Sequence, residues 1–157
     1  MHKIKFQGKD LEKILPHKNP MILIDRVVDY DLENKKLTSE VDINAKNIFF
    51  DQELNAVPIW VGIEFMAQTI GCLSGIYAKE YKRTKIDLGF VIGARNYECF
   101  APNFKNGQCL KIEIEQLFFD SELGAFECVI KDGDKILAQA QLNVFQPESA
   151  KDFLKTI

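Results

Sequence analysis

Residues Pro58 to Tyr81 read PIWVGIEFMAQTIGCLSGIYAKEY, and this stretch decides the fold. Almost every residue in it is apolar or small, and Glu64 is the only charged residue between Asn55 and Ala78. A helix that is apolar on all sides is either the buried centre of a soluble fold or a membrane span. A carboxylate in hydrocarbon is costly, and segments of alternating polarity fill the rest of the chain. We therefore predict a buried central helix and no membrane span.

The segments around this helix alternate between apolar and polar residues, which predicts half-buried strands. Leu37 to Ile43 alternates in this way, and so does Ile136 to Phe145. Asp132-Gly133 is a hairpin signal between the latter run and Phe126 to Ile130. One sheet that buries its apolar face against one helix accommodates every element. We therefore predict an α+β domain spanning residues 1–157. Its other expected elements are a short helix at Asp10 to Leu15, strands at Met21 to Asp29, Leu88 to Phe100 and from Leu110 onward, and a terminal helix at Glu148 to Leu154.

The composition argues against two classes of function. The 157-residue chain has a net charge of -3 and a pI near 5.5, so it lacks the basic surface that a nucleic-acid binder needs. Its four cysteines are irregularly spaced and accompany only two histidines, which does not match a zinc site. We expect free, buried thiols and no metal or cofactor. We also expect a cytoplasmic protein, because the first residues lack the apolar core of a signal peptide.

Glu64 is the first candidate for chemistry. A lone carboxylate in so apolar a helix must be paired, protonated or functional, because an unpaired buried charge costs several kcal/mol. Burial would favour the protonated form, which suits a general acid at neutral pH. The alternative is a structural carboxylate near the helix start, stabilised by the free N–H groups there. The residues alone leave both interpretations open.

Three motifs follow one another along the chain. Leu15 to Val27 reads LPHKNPMILIDRV, Glu64 to Gln68 reads EFMAQ, and Gly107 to Leu110 reads GQCL. They resemble, respectively, the opening motif, the Glu-x-Met-Ala-Gln of the central helix and the Gly-Asp-x-Leu turn of bacterial 3-hydroxyacyl-[acyl-carrier-protein] dehydratases. The similarity runs from about Leu11 to Phe145. It implies the hot-dog fold, in which one antiparallel sheet wraps a long helix, and an obligate dimer with active sites at the subunit interface.

The resemblance also suggests roles for residues near the helix start. Dehydration of a 3-hydroxyacyl thioester needs a base for the C2 proton, an acid for the departing C3 hydroxyl and a donor to the thioester oxygen. The motif makes Glu64 the acid and Gln68 the residue that orients it or the substrate. The N–H groups around Val61 and Gly62 suit the thioester oxygen. Trp60 is a candidate for lining an acyl channel, with plain core packing as the alternative.

One departure from the family concerns the base. Dehydratases of that family carry a catalytic His in a Gly-His-Phe-Pro motif before the helix, whereas this loop reads DQELN over residues 51–55 and has no His. The chain most resembles a divergent branch found in aryl-polyene-type pigment pathways, whose members pair with another hot-dog protein. His17 is either a replacement base or a structural residue of the opening motif. The structural interpretation is favoured, because ordinary members have this residue beside their separate catalytic His.

A cluster of cations follows the helix at Lys82, Arg83 and Lys85. Cations at a helix C-terminus interact favourably with its dipole, so a solvated helix end is the default explanation. The functional alternative is a docking site for an acidic acyl carrier protein, which requires a local positive patch on an otherwise acidic protein.

The function expected from the residues and the resemblance is acyl-thioester binding with 3-hydroxyacyl dehydration, in fatty-acid or polyene biosynthesis. The thioester carrier is an acyl carrier protein or coenzyme A, and the protein is expected to form a homodimer or a heterodimer with another hot-dog protein. One alternative is a non-catalytic subunit that completes the site of a paired dehydratase, which the missing loop His favours. Another is an acyl thioesterase, because hot-dog thioesterases use a helix carboxylate to activate water.

Overall fold

The computed structural model describes residues 4–81, 90–120 and 122–145, and a curved antiparallel sheet wraps around one long helix in it. The helix α1 (Gly62–Glu80) directly follows a 3-10 turn (Ile59–Val61), and a second 3-10 segment (Gly8–Lys13) lies near the N-terminus. The strands are β1 (Phe6–Gln7), β2 (Arg26–Asp31), β3 (Lys36–Asp42), β4 (Ala56–Pro58), β5 (Phe90–Cys99), β6 (Asn103–Lys105), β7 (Cys109–Asp120), β8 (Leu123–Asp132) and β9 (Lys135–Phe145).

The main sheet has seven strands in the order β1-β2-β3-β7-β8-β9-β5, and β4 pairs with β6 in a separate two-stranded sheet. This is the predicted hot-dog arrangement, and the hairpin at Asp132-Gly133 is where the sequence places it. The prediction of a strand from residue 21 is wrong in part, because β2 begins at Arg26. The Met21 carbonyl and the Leu23 N–H bond to a helix side chain instead of a neighbouring strand. The three-residue strands β4 and β6 have no periodic signal in the sequence.

The core lies between α1 and the concave face of the sheet. Phe65, Met66 and Cys72 of the helix are fully buried, opposite strand residues such as Ile112 and Ile130. The segment Ile59–Glu80 is long and apolar enough to cross a membrane, but 61% of its apolar 18-residue window is buried inside the fold, as in a core helix.

The buried hydroxyl groups of Ser39 and Thr69 are hydrogen-bonded within this interface. Thr69 donates from Oγ1 to the Phe65 carbonyl at 2.7 Å and lies 2.8 Å from Ser39 Oγ, so neither buried hydroxyl is left without a partner. Ser39 occupies a core-facing position of β3, so a polar residue stands among the buried positions of this alternating strand.

The segment of residues 14–23, which we call the strap, packs along α1 from Gly75 back to Gln68. A Cβ on Gly75 would lie 1.8 Å from the backbone oxygen of Ile14, and a Cβ on Gly71 would lie 3.0 Å from Leu15 Cδ2. Both glycines therefore allow the strap to pack directly against the helix. Farther along, the strap reaches the level of Gln68. The predicted helix at residues 148–154 lies outside the described residues.

The four cysteines are free thiols, but only two are buried as expected. Cys72 and Cys128 lie in the core, whereas Cys99 and Cys109 are exposed because they stand at the ends of strands. Burial raises the pKa of the Cys128 thiol to about 12, which makes it unreactive at neutral pH. Within residues 4–81, 90–120 and 122–145, no group of three His, Cys, Asp or Glu side chains is arranged to hold a metal ion.

Candidate active site

The first turn of the central helix is built around a shared carbonyl. The Ile59 carbonyl accepts the N–H of Gly62 and, at 2.5 Å, the hydroxyl of Tyr97 from strand β5. A Cβ on Gly62 would lie 2.2 Å from this hydroxyl and 3.1 Å from Phe104 Cζ, so only glycine leaves room for the contact. The N–H of Gly62 is thus already used within the turn, and the role of the N–H groups around Val61 and Gly62 toward a substrate oxygen stays a prediction. Val61 is buried beside it.

A β-bulge brings Tyr97 to this turn. The pairing of β5 with β9 shifts between Arg95 and Glu98, so Asn96 and Tyr97 together oppose one residue of β9, Ala140. Asn96 adopts a left-handed backbone conformation (φ 53°), which is typical of a bulge and is tolerated by Asn. The extra residue turns the Tyr97 side chain toward the helix start. Sequence reasoning missed Tyr97, because a bulge in an edge strand leaves no periodic signal.

Glu64 lies one turn after Trp60 on the same side of the helix, and both side chains are exposed in the single chain. The expectation that Glu64 is buried is therefore wrong for one chain alone. The cause is geometric, because the sheet covers the opposite side of α1 and the strap packs on the helix only from Gln68 onward. A Glu64 Oε1 accepts a hydrogen bond from Gln68 Nε2 at 3.3 Å.

Gln68 joins Glu64 to the strap. Its side chain is 2% exposed; its Oε1 accepts the Leu23 N–H at 2.8 Å and its Nε2 donates to the Met21 carbonyl at 2.9 Å. A buried amide with both ends bonded is held in one orientation. The same Nε2 that reaches Glu64 is therefore fixed by the strap, so the carboxylate has a defined position although it is exposed.

His17 lies in the strap and is half-buried. Its Nδ1 is buried and finds no hydrogen-bond partner among the described residues, and none of them links His17 to Glu64 by a hydrogen bond. The structure thus brings Glu64 and Gln68 together but does not join His17 to them. The cations Lys82, Arg83 and Lys85 lie outside the described residues.

The surface around Glu64 is apolar. Trp60 is 59% exposed and packs edge-on against Phe49, with ring centroids 5.5 Å apart. Met21 is 53% exposed, and its carbonyl accepts a hydrogen bond from the same Gln68 Nε2 that bonds to Glu64. Ile48, next to Phe49 in the chain, is exposed as well. An apolar surface of this kind surrounding a positioned carboxylate is typical of a site that another molecule covers. The acyl-channel role of Trp60 stays a prediction.

Comparison with solved structures finds the same architecture in a dehydratase complex. The dehydratase heterocomplex ApeI:P from Xenorhabdus doucetiae contains a chain that is 30% identical, with a TM-score of 0.85 over 93% of this chain and 95% of that one. Curated relatives include the 3-hydroxyacyl-[acyl-carrier-protein] dehydratase FabZ of Thermoanaerobacter pseudethanolicus, 28% identical over 90% of this chain and 98% of the relative. The FabZ of Chlamydia trachomatis serovar D is 25% identical over 86% of this chain and 88% of its own length.

The family comparison covers almost the whole chain. The model of the ApeP-like family, described as ApeP dehydratase, matches residues 9–155 and so includes the strap, the central helix and every strand from β2 to β9. The motifs singled out in the sequence all fall within this match. The chain belongs to the ApeP-like dehydratase family.

Proposed function

We propose that this protein is one subunit of a 3-hydroxyacyl-thioester dehydratase whose active site is completed by a second hot-dog domain. The observation that carries the proposal is Glu64, a carboxylate held in place by Gln68 yet left exposed within an apolar surface. A site meant to exclude water needs a cover at that position. A second domain supplies this cover and, with it, the environment in which a carboxyl acts as general acid.

The proposed reaction divides the chemistry between two chains. Glu64 donates a proton to the departing C3 hydroxyl, which leaves as water, while a base removes the C2 proton and the C2–C3 double bond forms. Gln68 keeps Glu64 directed at the substrate. The loop at residues 51–55 contains no His, so the base comes from the partner. His17 is then a structural residue of the strap.

The partner is proposed to be another hot-dog protein that carries the missing loop His. Strand β5 supports this, because it is the last strand of the sheet among residues 4–81, 90–120 and 122–145, and none of these residues pairs with its outer edge. The similar chain in ApeI:P comes from a complex of two different proteins. A homodimer of this chain would contain no loop His at all, so the missing residue favours the heterodimer.

The carrier and the compartment follow from the same proposal. The thioester is carried by an acyl carrier protein, as the names of the FabZ relatives state for their own substrates. The cations at residues 82, 83 and 85 are its proposed docking site, and reversing all three to Glu should weaken carrier binding most at low salt. Equal binding at low salt would mean that they are only a solvated helix end. The protein is proposed to act in the cytoplasm.

The deciding experiment compares the purified chain alone with the chain bound to a hot-dog subunit that has the loop His. Each preparation is given a 3-hydroxyacyl thioester, and the products are separated by mass. We expect an enoyl thioester from the complex and little or none from the chain alone. A free acid would indicate a thioesterase, and the absence of turnover in both preparations would contradict the proposal.

A further inference from the structure

Tyr97 is a half-buried donor that the proposed reaction does not use. Its hydroxyl bonds to the Ile59 carbonyl through a space that exists only because residue 62 is glycine. Burial raises the pKa of Tyr97, so the phenol is protonated at neutral pH and can donate. The contact is therefore a hydrogen bond from the phenol to one peptide group at the start of the helix.

That peptide group has two ends. The Ile59 carbonyl and the Trp60 N–H belong to the same planar unit, and in a trans peptide the two point in opposite directions. Because the carbonyl points to Tyr97 and Gly62, the Trp60 N–H points out of the first turn, where N–H groups have no acceptor within the helix. The side chains of Trp60 and Glu64 are one turn apart and are exposed close to this end of the helix.

The two hydrogen bonds on the carbonyl also affect the strength of the N–H as a donor. Hydrogen bonds in a chain polarise one another, and a carbonyl that accepts two of them makes the N–H of its own peptide more positive. Donors fixed in advance where negative charge develops are among the largest contributions to catalysis. Tyr97 thus acts on both the direction and the polarity of the Trp60 amide.

We infer that Tyr97 is a positioning residue that aims the Trp60 N–H at the carbonyl oxygen of the bound thioester. The inference rests on the proposed function, since it requires a thioester beside Glu64. It also connects the site to assembly, because Tyr97 stands in the bulge of β5, the strand whose free edge is proposed to pair with the partner.

The test is Tyr97→Phe, which removes the hydroxyl and keeps the ring, with Tyr30→Phe on β2 as the matched control. In the complex that turns over 3-hydroxyacyl thioester, we expect kcat to fall by roughly 10-fold for Tyr97→Phe with KM within about 2-fold, because loss of a whole oxyanion donor costs 10²–10³-fold and this donor is only misaligned. Tyr30→Phe should leave both constants unchanged.

A spectroscopic measurement separates positioning from a merely structural role. A saturated acyl pantetheine thioester with a ¹³C carbonyl binds without reacting, and its carbonyl stretch in difference infrared spectra reports the hydrogen bond that it accepts. The stretch should move to higher wavenumber in Tyr97→Phe. If that variant does not fold, 3-fluorotyrosine at position 97, a stronger donor, should move it to lower wavenumber.

The outcomes distinguish the two proposals. An unchanged carbonyl stretch, together with wild-type kcat where Tyr97→Phe folds, overturns the role of Tyr97 and leaves the dehydratase proposal standing. A shifted stretch without enoyl product supports the role of Tyr97 and contradicts dehydration. A protein that binds no thioester at all overturns both.

Discussion

The two halves of the central helix have the same apolar character and different surroundings. In the second half, Gly71 and Gly75 admit the strap, so the side away from the sheet is covered by the chain's own backbone. In the first half the same side of the helix carries Trp60 and Glu64, both exposed. The covered half stabilises the fold, and the open half is available for function. The comparison leads to predictions that separate effects on activity from effects on stability.

The largest effect is expected at Glu64 in the open half. Glu64→Gln keeps the shape and the bond from Gln68 while removing the acid, so turnover by the complex should fall at least about 10²-fold, the range for a general acid. The free energy of unfolding should change by less than about 0.5 kcal/mol, because the side chain is exposed. Glu80→Gln, at the exposed end of the same helix, is the control for loss of charge. Full activity of Glu64→Gln would leave Glu64 a structural carboxylate.

A substitution in the covered half of the helix should lower the free energy of unfolding. The Cβ of Gly75→Ala would meet the Ile14 backbone at 1.8 Å, and backbone cannot rotate aside as a side chain can. Overpacking of this kind costs roughly 1–3 kcal/mol, measurable by urea unfolding. Gly93→Ala is the matched control, because nothing lies within 4 Å of its Cβ. Equal stability of the two variants would mean that the strap is not held tightly on the helix.

His17 belongs to the strap that joins the two halves. We expect His17→Ala to lower the turnover of the complex by less than about 10-fold, since the described part of the chain shows no hydrogen bond from His17 to Glu64 and no partner for its Nδ1. General-base loss costs 10²–10⁴-fold, so the two roles are well separated. A loss as large as that of Glu64→Gln, in a folded variant, would make His17 the base and remove the need for a His from the partner.

The smallest effect is expected away from the helix, at the ion pair of Arg26 with Asp42. Asp42→Asn should destabilise the protein by less than about 1 kcal/mol at pH 7, because the pair is partly exposed. Hydrogen bonds from Arg26 hold the pKa of Asp42 below its usual value. Because the pKa of Asp42 is lower in the folded than in the unfolded protein, its ion pair stabilises the fold fully at pH values above the unfolded pKa of about 3.9. This stabilisation is lost as the pH falls through the folded pKa. Urea unfolding should therefore show a difference at pH 7 that shrinks at pH 3, and a difference that grows instead would contradict this origin.

The sequence predicts features that depend on local pattern. Leu37, Val41, Leu142 and Val144 are buried as expected, because the side-chain period of a strand assigns each residue to a face before any partner is known. The exposure of Glu64 could not be predicted from the sequence. The composition of a helix indicates how apolar the helix is, but it does not indicate which side of the helix the sheet and the strap cover.

Features that depend on tertiary contacts stay hidden for the same reason. Tyr97 reaches the helix through a bulge and a glycine that are distant in the chain, and neither pattern points to the other. The bonds of Gln68 to the strap likewise join residues more than forty positions apart. The EFMAQ motif identifies Gln68 as important, but only the fold gives the reason.

The two edges of the sheet differ in how readily another strand can pair with them. Among the described residues, one edge is β5, with ten residues, and the other is β1, with two, which covers only Arg26 and Val27 of β2. If two such sheets join along β5 as proposed, each outer edge of the product is this short and interrupted one, which offers few aligned hydrogen bonds to a third sheet. Assembly along β5 would then stop at two domains, and the same geometry would oppose open-ended polymerisation.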